Sequence, residues 1–377
     1  MILYIFIFFL IVFILFKMYI KLKYPFWSRQ PVFHYHNIYY WLFPPEELNY
    51  NFKKNKYYDS TILFQDYKLI DNKKKALMSD FIKTHYSPQK YEQYNPSNQS
   101  ILANFENHND VVYISIYNQN NNIIGFMSSI PYEATLYNTN MNIYYIDFLC
   151  VHKNKRKKGL ASNIIYSHAV NMYDTIKNMV YIFKREGALS SYVPLTIYNC
   201  YIFDTKHWVK NVTFIGKQYN ICSVSDTHLG VFKDLIVDIK QSTLFNCVYH
   251  PYVGNLDLLI KNKNLFVFML MSNDVCIACY VYKNNSMKYD GKISIDLIAS
   301  YSNTSDDIFV MGYLNTLKKL YSEIKYDLLL VENISHNYII LKNILERYSY
   351  LHKSTMGYYY YNYANRPVYS KDVFCIT

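Results

Sequence analysis

The stretch "IDFLCVHKNKRKKGLA", Ile146 to Ala161, places an apolar, strand-like run directly before a basic turn that closes in Gly-Leu-Ala. A helical pattern follows, and Ser162 is its candidate N-cap. The unpaired amides and the dipole at a helix N-terminus bind phosphate, and glycine lets the backbone approach that phosphate closely. Arg156 and Gly159 therefore predict a phosphate-binding turn between a strand and a helix. A solvated basic turn is the alternative that this motif alone leaves open.

The flanking patterns indicate the fold class, because the same order of elements occurs twice. In the first half, the hairpin "VVYISIYN" and "NIIGFMSSIP" precedes the central strand "IYYIDFLCV", a helix and the strand "MVYIF". The second half repeats this order loosely, from "LFVFMLMS" to "GYYYYNY". We predict an α/β fold of two related units with mixed sheets, and a boundary near residues 210–222.

Composition excludes some functions and leaves others open. The net charge of +11 is scattered along all 377 residues, which favours solubility over a nucleic-acid surface. Seven cysteines without framework spacing indicate a reducing compartment. Cys276 and Cys279 form a CxxC inside a strand-like run that has no second pair, and His34 and His36 have no carboxylate nearby. We therefore predict no metal site and no nucleic-acid partner, and we expect a monomer.

The N-terminus carries the clearest topological signal. Residues Met1 to Phe16 carry no charged side chain, and the apolar run resumes after Lys17 as far as Ile20. A helix of this length spans about 24–30 Å, which suffices for a thin bilayer. Basic residues follow the run, as expected for the cytoplasmic side of an anchor, and the small residues of a signal-peptide cleavage site do not follow it. We predict a single-pass anchor over residues 1–20 with the rest of the chain in the cytoplasm, beginning with an aromatic-rich arm over residues 21–58.

Four segments, in order along the chain, resemble the glycylpeptide N-myristoyltransferase family. They are "YPFWSRQPV" (Tyr24–Val32), "IIGFMSSIP" (Ile123–Pro131), "IDFLCVHKNKRKKGLA" and "YYYYNYANRPVYSKDVFCIT" (Tyr358–Thr377). The Arg156-x-x-Gly159-x-Ala161 spacing is also similar to the coenzyme A pyrophosphate loop of acetyltransferase-like (GNAT) folds. The resemblance implies two tandem GNAT-like acyl-CoA N-acyltransferase units, an acyl-CoA-binding unit over residues 59–215 and a peptide-binding unit over residues 216–377.

The resemblance also implies a reaction, the transfer of a myristoyl group from myristoyl-CoA to an N-terminal glycine, without a permanently bound cofactor. Backbone amides of Phe148 and Leu149 would stabilise the oxyanion, and freeing two amides from a strand predicts a β-bulge there. The main-chain carboxylate of Thr377 would be the base, and Asp147, where the family has Asn, is a second candidate. The implied acyl-CoA-binding residues are Tyr24, Phe26, Trp27, Phe148, Leu149, Cys150, Val151, Arg156, Lys157, Lys158, Gly159, Leu160 and Ala161. Tyr198 and Tyr359 are the implied acceptor-binding residues.

The chain departs from the family pattern on the acceptor side. Lys184 and Arg185 lie near the position of a threonine that helps to orient the amine, and a cation there would repel an ammonium nucleophile. Lys353 aligns near a family aspartate, and only Glu92 is acidic where the family has a run of carboxylates. These changes predict acceptors with neutral or acidic residues downstream of the glycine. They also leave two alternatives open, an acyl-CoA-binding pseudoenzyme and an acyltransferase with another acceptor, such as a lysine side chain or a different N-terminus.

Overall fold

The computed structural model describes residues 1–43, 45–87, 92–120, 122–177, 179–187, 191–206, 208, 216–225 and 227–377. Its α-helices are α1 (Ile2–Lys23), α2 (Ile38–Leu42), α3 (Asn72–His85), α4 (Asn98–Leu102), α5 (Leu160–Thr175), α6 (Leu229–Gln241), α7 (Val253–Lys261), α8 (Asp306–Glu323) and α9 (Asn337–Arg347). Its strands are β1 (Glu46–Glu47), β2 (Ile62–Asp66), β3 (Glu92–Tyr94), β4 (Tyr113–Gln119), β5 (Asn122–Leu136), β6 (Thr139–Val151), β7 (Val180–Glu186), β8 (Thr196–Asp204), β9 (Tyr219–Ser223), β10 (Cys247–Pro251), β11 (Leu265–Ser272), β12 (Val275–Lys283), β13 (Met287–Tyr289), β14 (Lys292–Ser302), β15 (Leu328–Glu332), β16 (His352–Tyr361), β17 (Tyr363–Ala364) and β18 (Val373–Cys375).

One large mixed sheet organises the molecule. Its strand order is β18-β10-β5-β6-β7-β16-β8-β15-β14-β12-β11-β9, with β4 and then β2 attached to β5 and with β13 and then β3 attached to β14. The predicted repeat is visible in it: the hairpin β4–β5, then β6, α5 and β7 correspond to the hairpin β11–β12, then β14, α8 and β15. In each half the strand before the helix pairs in parallel with the strand after it. The predicted α/β fold class is confirmed.

The two halves exchange strands. β16, from the second half, lies between β7 and β8, and β8, from the first half, pairs with β15. The predicted boundary near residues 210–222 falls between β8 and β9, and its residues 210–215 lie outside the described residues. A division into two contiguous segments therefore cuts through the hydrogen-bonded ladder of one continuous sheet.

Helix α5 covers the sheet beside the basic turn. Its Ile164 and Met172 are fully buried, and the helix contacts β4, β5 and β6. The helix begins earlier than predicted: Gly159, at a φ of +78°, is the N-cap, and Ser162 lies inside the first turn. Gly159 adopts this left-handed conformation at little cost, so the chain turns into the helix three residues before the serine.

The N-terminal segment packs partly on the body of the protein. Helix α1 is long and apolar enough to cross a membrane, judged by its length and composition. At its end Ile20 is buried, and the ring of Phe13 lies 6.4 Å from that of His36. The arm that follows contains a 3-10 turn at Trp27–Arg29 and the short helix α2, and its Phe26 is buried.

Candidate active site

The predicted β-bulge is confirmed at the end of β6. Phe126 pairs with Cys150 and Ser128 pairs with Asp147, so two residues of β6, Phe148 and Leu149, lie opposite a single residue of β5. Phe148 adopts a φ of +52°, a left-handed conformation that costs about 1–2 kcal/mol for a residue with a side chain. Its buried ring is held between aromatic neighbours, with ring centroids 5.6 Å from Tyr86 and 5.4 Å from Phe105.

An apolar cavity of about 310 Å³ opens beside this bulge. Its wall includes Met127, Ile146, Leu149, Ile165, Ala169 and Phe183, and Trp27 of the arm closes it. The indole of Trp27 stacks on Phe183 at 5.8 Å, and Phe26 packs against Trp27 at 5.1 Å. Tyr24, the C-cap of α1, is not among the described residues that line the cavity. The arm thus contributes Trp27 directly and Phe26 as its support.

A wider cleft of about 1,220 Å³ lies on the side of the basic turn. From the predicted acyl-CoA residues it is lined by Leu149, Cys150, Val151, Arg156, Lys157, Gly159, Leu160 and Ala161, together with Lys155 but without Lys158. Among the described residues, apart from the chain neighbours of Gly159, no heavy atom lies within 4 Å of the position that a Cβ of Gly159 would occupy, so a ligand can approach the backbone there. Open backbone at a helix N-terminus with lysines beside it suits a phosphate.

Arg156 lines the cleft, as its position in the motif predicts, and it also holds the basic turn in place. Its Nε donates to the carbonyl of Val151 at 3.2 Å, and its Nη2 donates to the carbonyls of Ser87, at 3.4 Å, and His85. These bonds tie the basic turn to the end of α3. The guanidinium therefore fixes the shape of the turn. Lys155 and Lys157, which belong to the same turn, line the cleft and make it positively charged there.

A third cavity, of about 170 Å³, brings Thr377 close to the bulge. Asp147, Phe148, Lys184, Asp296 and Thr377 all line it. Thr377 is buried, and its Oγ1 lies 2.6 Å from the hydroxyl of Tyr358. The C-terminal residue thus shares one space with Asp147 and with Phe148 of the bulge.

Asp147 holds the backbone of the bulge. Its Oδ1 accepts hydrogen bonds from the Phe148 N–H at 2.7 Å and from the Tyr86 hydroxyl at 3.1 Å. The charge of Asp147, and then burial, raise the pKa of Tyr86 well above its usual value, so the phenol stays protonated as a donor. One of the two amides that the sequence predicts as oxyanion donors is therefore engaged by the neighbouring carboxylate.

Lys184 lines all three cavities and is paired there. Its Nζ lies 2.5 Å from Glu332 Oε1, and Glu332 Oε2 accepts a hydrogen bond from the Tyr198 hydroxyl at 2.7 Å. Burial alone would lower the pKa of Lys184, but the charge and hydrogen bond of Glu332 outweigh it and leave this pKa raised. The expected unpaired cation is therefore a neutralised ion pair, and Tyr198 acts on the cleft through Glu332.

The predicted charge reversal at Lys353 is wrong. His352 and Ser354 line the cleft, whereas Lys353 between them is exposed elsewhere, with its Nζ 5.5 Å from the Tyr201 ring. Alternate residues of a strand point to opposite faces, which explains the outcome. Tyr359 likewise packs against Phe183 at 5.7 Å, on the side of the apolar cavity, and is not among the described residues that line the cleft.

Carboxylates instead reach the cleft from strands that carry no motif. The acidic residues that line it are Glu92, Glu186, Asp290, Asp296 and Glu332. Burial, and then the charge of Glu332, raise the pKa of Asp296 to about 7. Sequence reasoning missed Asp296 and Glu332, because each is one acidic residue inside an apolar strand pattern, and only the pairing of β14 with β15 brings them together.

Comparisons with known proteins agree with this geometry. The family described as "Myristoyl-CoA:protein N-myristoyltransferase, N-terminal domain" matches residues 51–181. The structure is similar to Saccharomyces cerevisiae N-myristoyltransferase with bound myristoyl-CoA, at 12% identity and a TM-score of 0.69 over 94% of this chain and 99% of that one. A second structure of the yeast enzyme, with myristoyl-CoA and inhibitors, is also 12% identical and gives a TM-score of 0.71 over 94% of each chain. A GCN5-related N-acetyltransferase from Anabaena variabilis gives 0.51 at 8% identity, over 79% of this chain and 72% of that one. A comparison with curated proteins finds no match.

Proposed function

We propose that the chain transfers a myristoyl group from myristoyl-CoA to the N-terminal glycine of a protein, because residues 51–181 match the N-terminal domain of the N-myristoyltransferase family and the fold is similar to that of the yeast enzyme. One observation carries the proposal: the bulge at Phe148 and Leu149 lies where the apolar cavity, the basic cleft and the cavity of Thr377 meet. The acyl chain and the acceptor amine each have a separate space that reaches this point. The wide cleft would hold the coenzyme A at its basic turn and the rest of the acceptor along its carboxylates.

In the proposed reaction, the acceptor nitrogen attacks the thioester carbon, the C–S bond breaks, and coenzyme A leaves as the thiol after taking up a proton. Negative charge develops on the carbonyl oxygen, and backbone N–H groups of Phe148 and Leu149 stabilise it. Asp147 must release the Phe148 N–H for this purpose. Its carboxylate then lies free to attract the acceptor ammonium.

The acceptor amine has a pKa near 8 and is mostly protonated at pH 7, so a base must remove its proton. We assign this step to the main-chain carboxylate of Thr377, which shares the small cavity with the bulge. Adding residues after Thr377 moves that carboxylate away. Turnover is then expected to fall with little change in acyl-CoA affinity, and full activity of the extended protein would transfer the role to Asp147.

The charges of the cleft also suggest which acceptors fit. The pairing of Lys184 with Glu332 removes the repulsion expected for an ammonium, and the carboxylates along the cleft favour a basic residue downstream of the glycine. This proposal replaces the sequence-based prediction of neutral or acidic acceptors.

Mass spectrometry of peptides tests the transfer. The full chain in mild detergent is incubated with myristoyl-CoA and three peptides that differ only at the first residue, Gly, Ala or N-acetyl-Gly. Acylation of the Gly peptide alone is the expected result. Acylation of a lysine side chain, or of all three peptides, would establish a different acceptor.

One observation favours a second candidate, an acyl-CoA-binding protein without catalysis. The Phe148 N–H is already bound by an ionisable side chain, and a binder does not need to release it. Acyl-CoA binding without acylation of any peptide would select this candidate.

We also propose that α1 anchors the protein in a membrane, with the catalytic part on the cytoplasmic side. The basic residues Lys17, Lys21 and Lys23 at the end of the helix support this orientation. Residues 21–58 would form the arm over the acyl-CoA, residues 59–215 the acyl-CoA unit and residues 216–377 the acceptor unit. Recovery of the full chain in the membrane fraction, and of a chain without residues 1–20 in the soluble fraction, would support the anchor.

A further inference from the structure

The far end of the apolar cavity is polar. Tyr181 and His168 both line it, with ring centroids 6.5 Å apart, and both side chains are buried. β6 and β7 run parallel with Ile146 opposite Phe183, so Tyr181 lies about four residues, or about 13 Å, back from the level of Phe148. These groups therefore face the distal half of an acyl chain whose thioester lies at the bulge.

The imidazole of His168 is fully paired. Its Nδ1 lies 2.9 Å from the hydroxyl of Ser115, and its Nε2 lies 3.0 Å from that of Ser129. Burial lowers the pKa of His168 to about 3, so the ring is neutral and uses one nitrogen to donate and the other to accept. His168 forms part of the cavity wall without offering a free hydrogen bond to a ligand.

Other polar groups on the wall are also paired. The hydroxyl of Tyr361 donates to Gln30 Oε1 at 2.8 Å, the hydroxyl of Tyr86 to Asp147, and the ammonium of Lys184 to Glu332. These bonds follow the usual rule that buried polar groups have hydrogen-bond partners.

The hydroxyl of Tyr181 breaks this rule. It is buried and has no hydrogen-bond partner among the described residues. A phenol can donate one hydrogen bond and accept others, and a buried hydroxyl that makes none lowers the stability of the folded protein. A saturated acyl chain cannot pair with this group, whereas a hydroxyl on the chain can.

We propose that the cavity binds acyl chains that carry a hydroxyl in their distal half, and that this hydroxyl pairs with the hydroxyl of Tyr181. The inference rests on the proposed acyl-CoA function and extends the acyl groups that the cavity accepts to long chains with a distal hydroxyl. The rest of the wall stays apolar and binds the methylenes on both sides of the hydroxyl.

Competition binding tests the proposal without relying on turnover. Tetradecanoyl-CoA and isomers that carry one hydroxyl at successive carbons compete for the full chain in mild detergent, and the isomer with its hydroxyl next to the thioester is the reference. Elsewhere in a dry apolar cavity, a hydroxyl is expected to weaken binding at least tenfold. We expect one distal isomer to bind at least as tightly as tetradecanoyl-CoA.

Tyr181→Phe identifies the partner. In this variant the favoured isomer is expected to bind at least tenfold more weakly than tetradecanoyl-CoA, whose own affinity is retained and shows that the cavity is folded. Tyr144→Phe is the matched control, because Tyr144 is a buried tyrosine of the neighbouring strand and is not among the described residues that line the cavity. It is expected to keep the wild-type preference.

Two outcomes would overturn the inference while the proposed function stands. All isomers could bind at least tenfold more weakly than tetradecanoyl-CoA to the wild type, as expected if water pairs with Tyr181, or the preference could survive in Tyr181→Phe. Failure of every acyl-CoA to bind the wild type would overturn both the inference and the proposed function. A single preferred distal position in the wild type that is lost in Tyr181→Phe supports the inference.

Discussion

Replacing Asp296 by Asn is expected to stabilise the protein above pH 7 and to leave it nearly unchanged in acid. Burial, and then the charge of Glu332, raise the pKa of Asp296 to about 7, so the folded protein holds this proton more tightly than the unfolded chain does. The stability that comes from the neutral carboxyl is fully present below about pH 4 and is lost as the pH rises through about 7. Asparagine stays neutral at every pH, and its side-chain oxygen can still accept the bond that Asn285 donates at 2.6 Å.

The magnitude follows from the same pKa. A rise from about 4 to about 7 corresponds to three tenfold steps of about 1.4 kcal/mol each, an upper bound of about 4 kcal/mol. Asp296 is partly open to the cleft, and solvent screening reduces this value. We therefore expect the free energy of unfolding of the wild type to fall by about 2 kcal/mol more than that of Asp296→Asn between pH 5 and pH 8.

Urea unfolding followed by tryptophan fluorescence at the two pH values measures this difference. Asp290→Asn serves as the control, because Asp290 is an exposed carboxylate on the same cleft. Ionisable groups that do not interact with Asp296 contribute equally to wild type and variants, so the comparison isolates Asp296 and the charges coupled to it. Equal pH dependence in the wild type and Asp296→Asn would refute the reasoning.

Three further predictions concern the turn, the ion pair and the acceptor. Gly159→Asp places a side chain and a negative charge at the open N-cap, so acyl-CoA affinity measured by calorimetry should fall at least tenfold, or about 1.4 kcal/mol, and unchanged affinity in a folded variant would move the coenzyme A elsewhere. Glu332→Gln leaves Lys184 without its charge partner and should lower the free energy of unfolding, measured in urea, by about 3 kcal/mol; adding Lys184→Met should restore most of this loss. A Glu332→Gln variant as stable as the wild type would show that the protein does not need the ion pair. Glycine peptides with Lys downstream should show a higher kcat/KM than matched Glu peptides, and this difference should grow above pH 7, where Asp296 is charged, and shrink in high salt. A preference for the Glu peptides would contradict the proposed role of the cleft carboxylates.

The fold was predictable where local pattern and tertiary structure agree. The hairpin of β4 and β5, the strand β6 into the basic turn and the helix α5 after it lie within a few residues of their patterns. Strand exchange was not predictable, because the place of β16 between β7 and β8 depends on long-range pairing that leaves no trace in alternation or spacing. The short strands β10 and β18 were missed for the same reason.

The candidate site divides in a similar way. The bulge at Phe148 followed from the chemistry that the motif requires, because two free amides demand a broken ladder. The ion-pair partners of the charged groups could not be predicted from the sequence, because Glu332 is 148 residues from Lys184. Lys353 was assigned to the cleft by its position in the family pattern. Because side chains alternate between the two faces of a strand, Lys353 lies on the face opposite to the cleft, near Tyr201.

The placement of the thioester at the bulge is the central claim. A crystal structure with a non-hydrolysable ketone analogue of myristoyl-CoA, in which a methylene group separates the sulfur from the carbonyl, tests it most directly. We predict that the chain enters the cavity under Trp27 and that the pyrophosphate lies at the turn of Lys157 and Gly159. We also predict that the carbonyl oxygen accepts from the N–H groups of Phe148 and Leu149, with Asp147 turned away from the Phe148 N–H. A carbonyl bound away from the bulge, or an Asp147 that keeps the Phe148 N–H while the analogue is bound, would contradict the account.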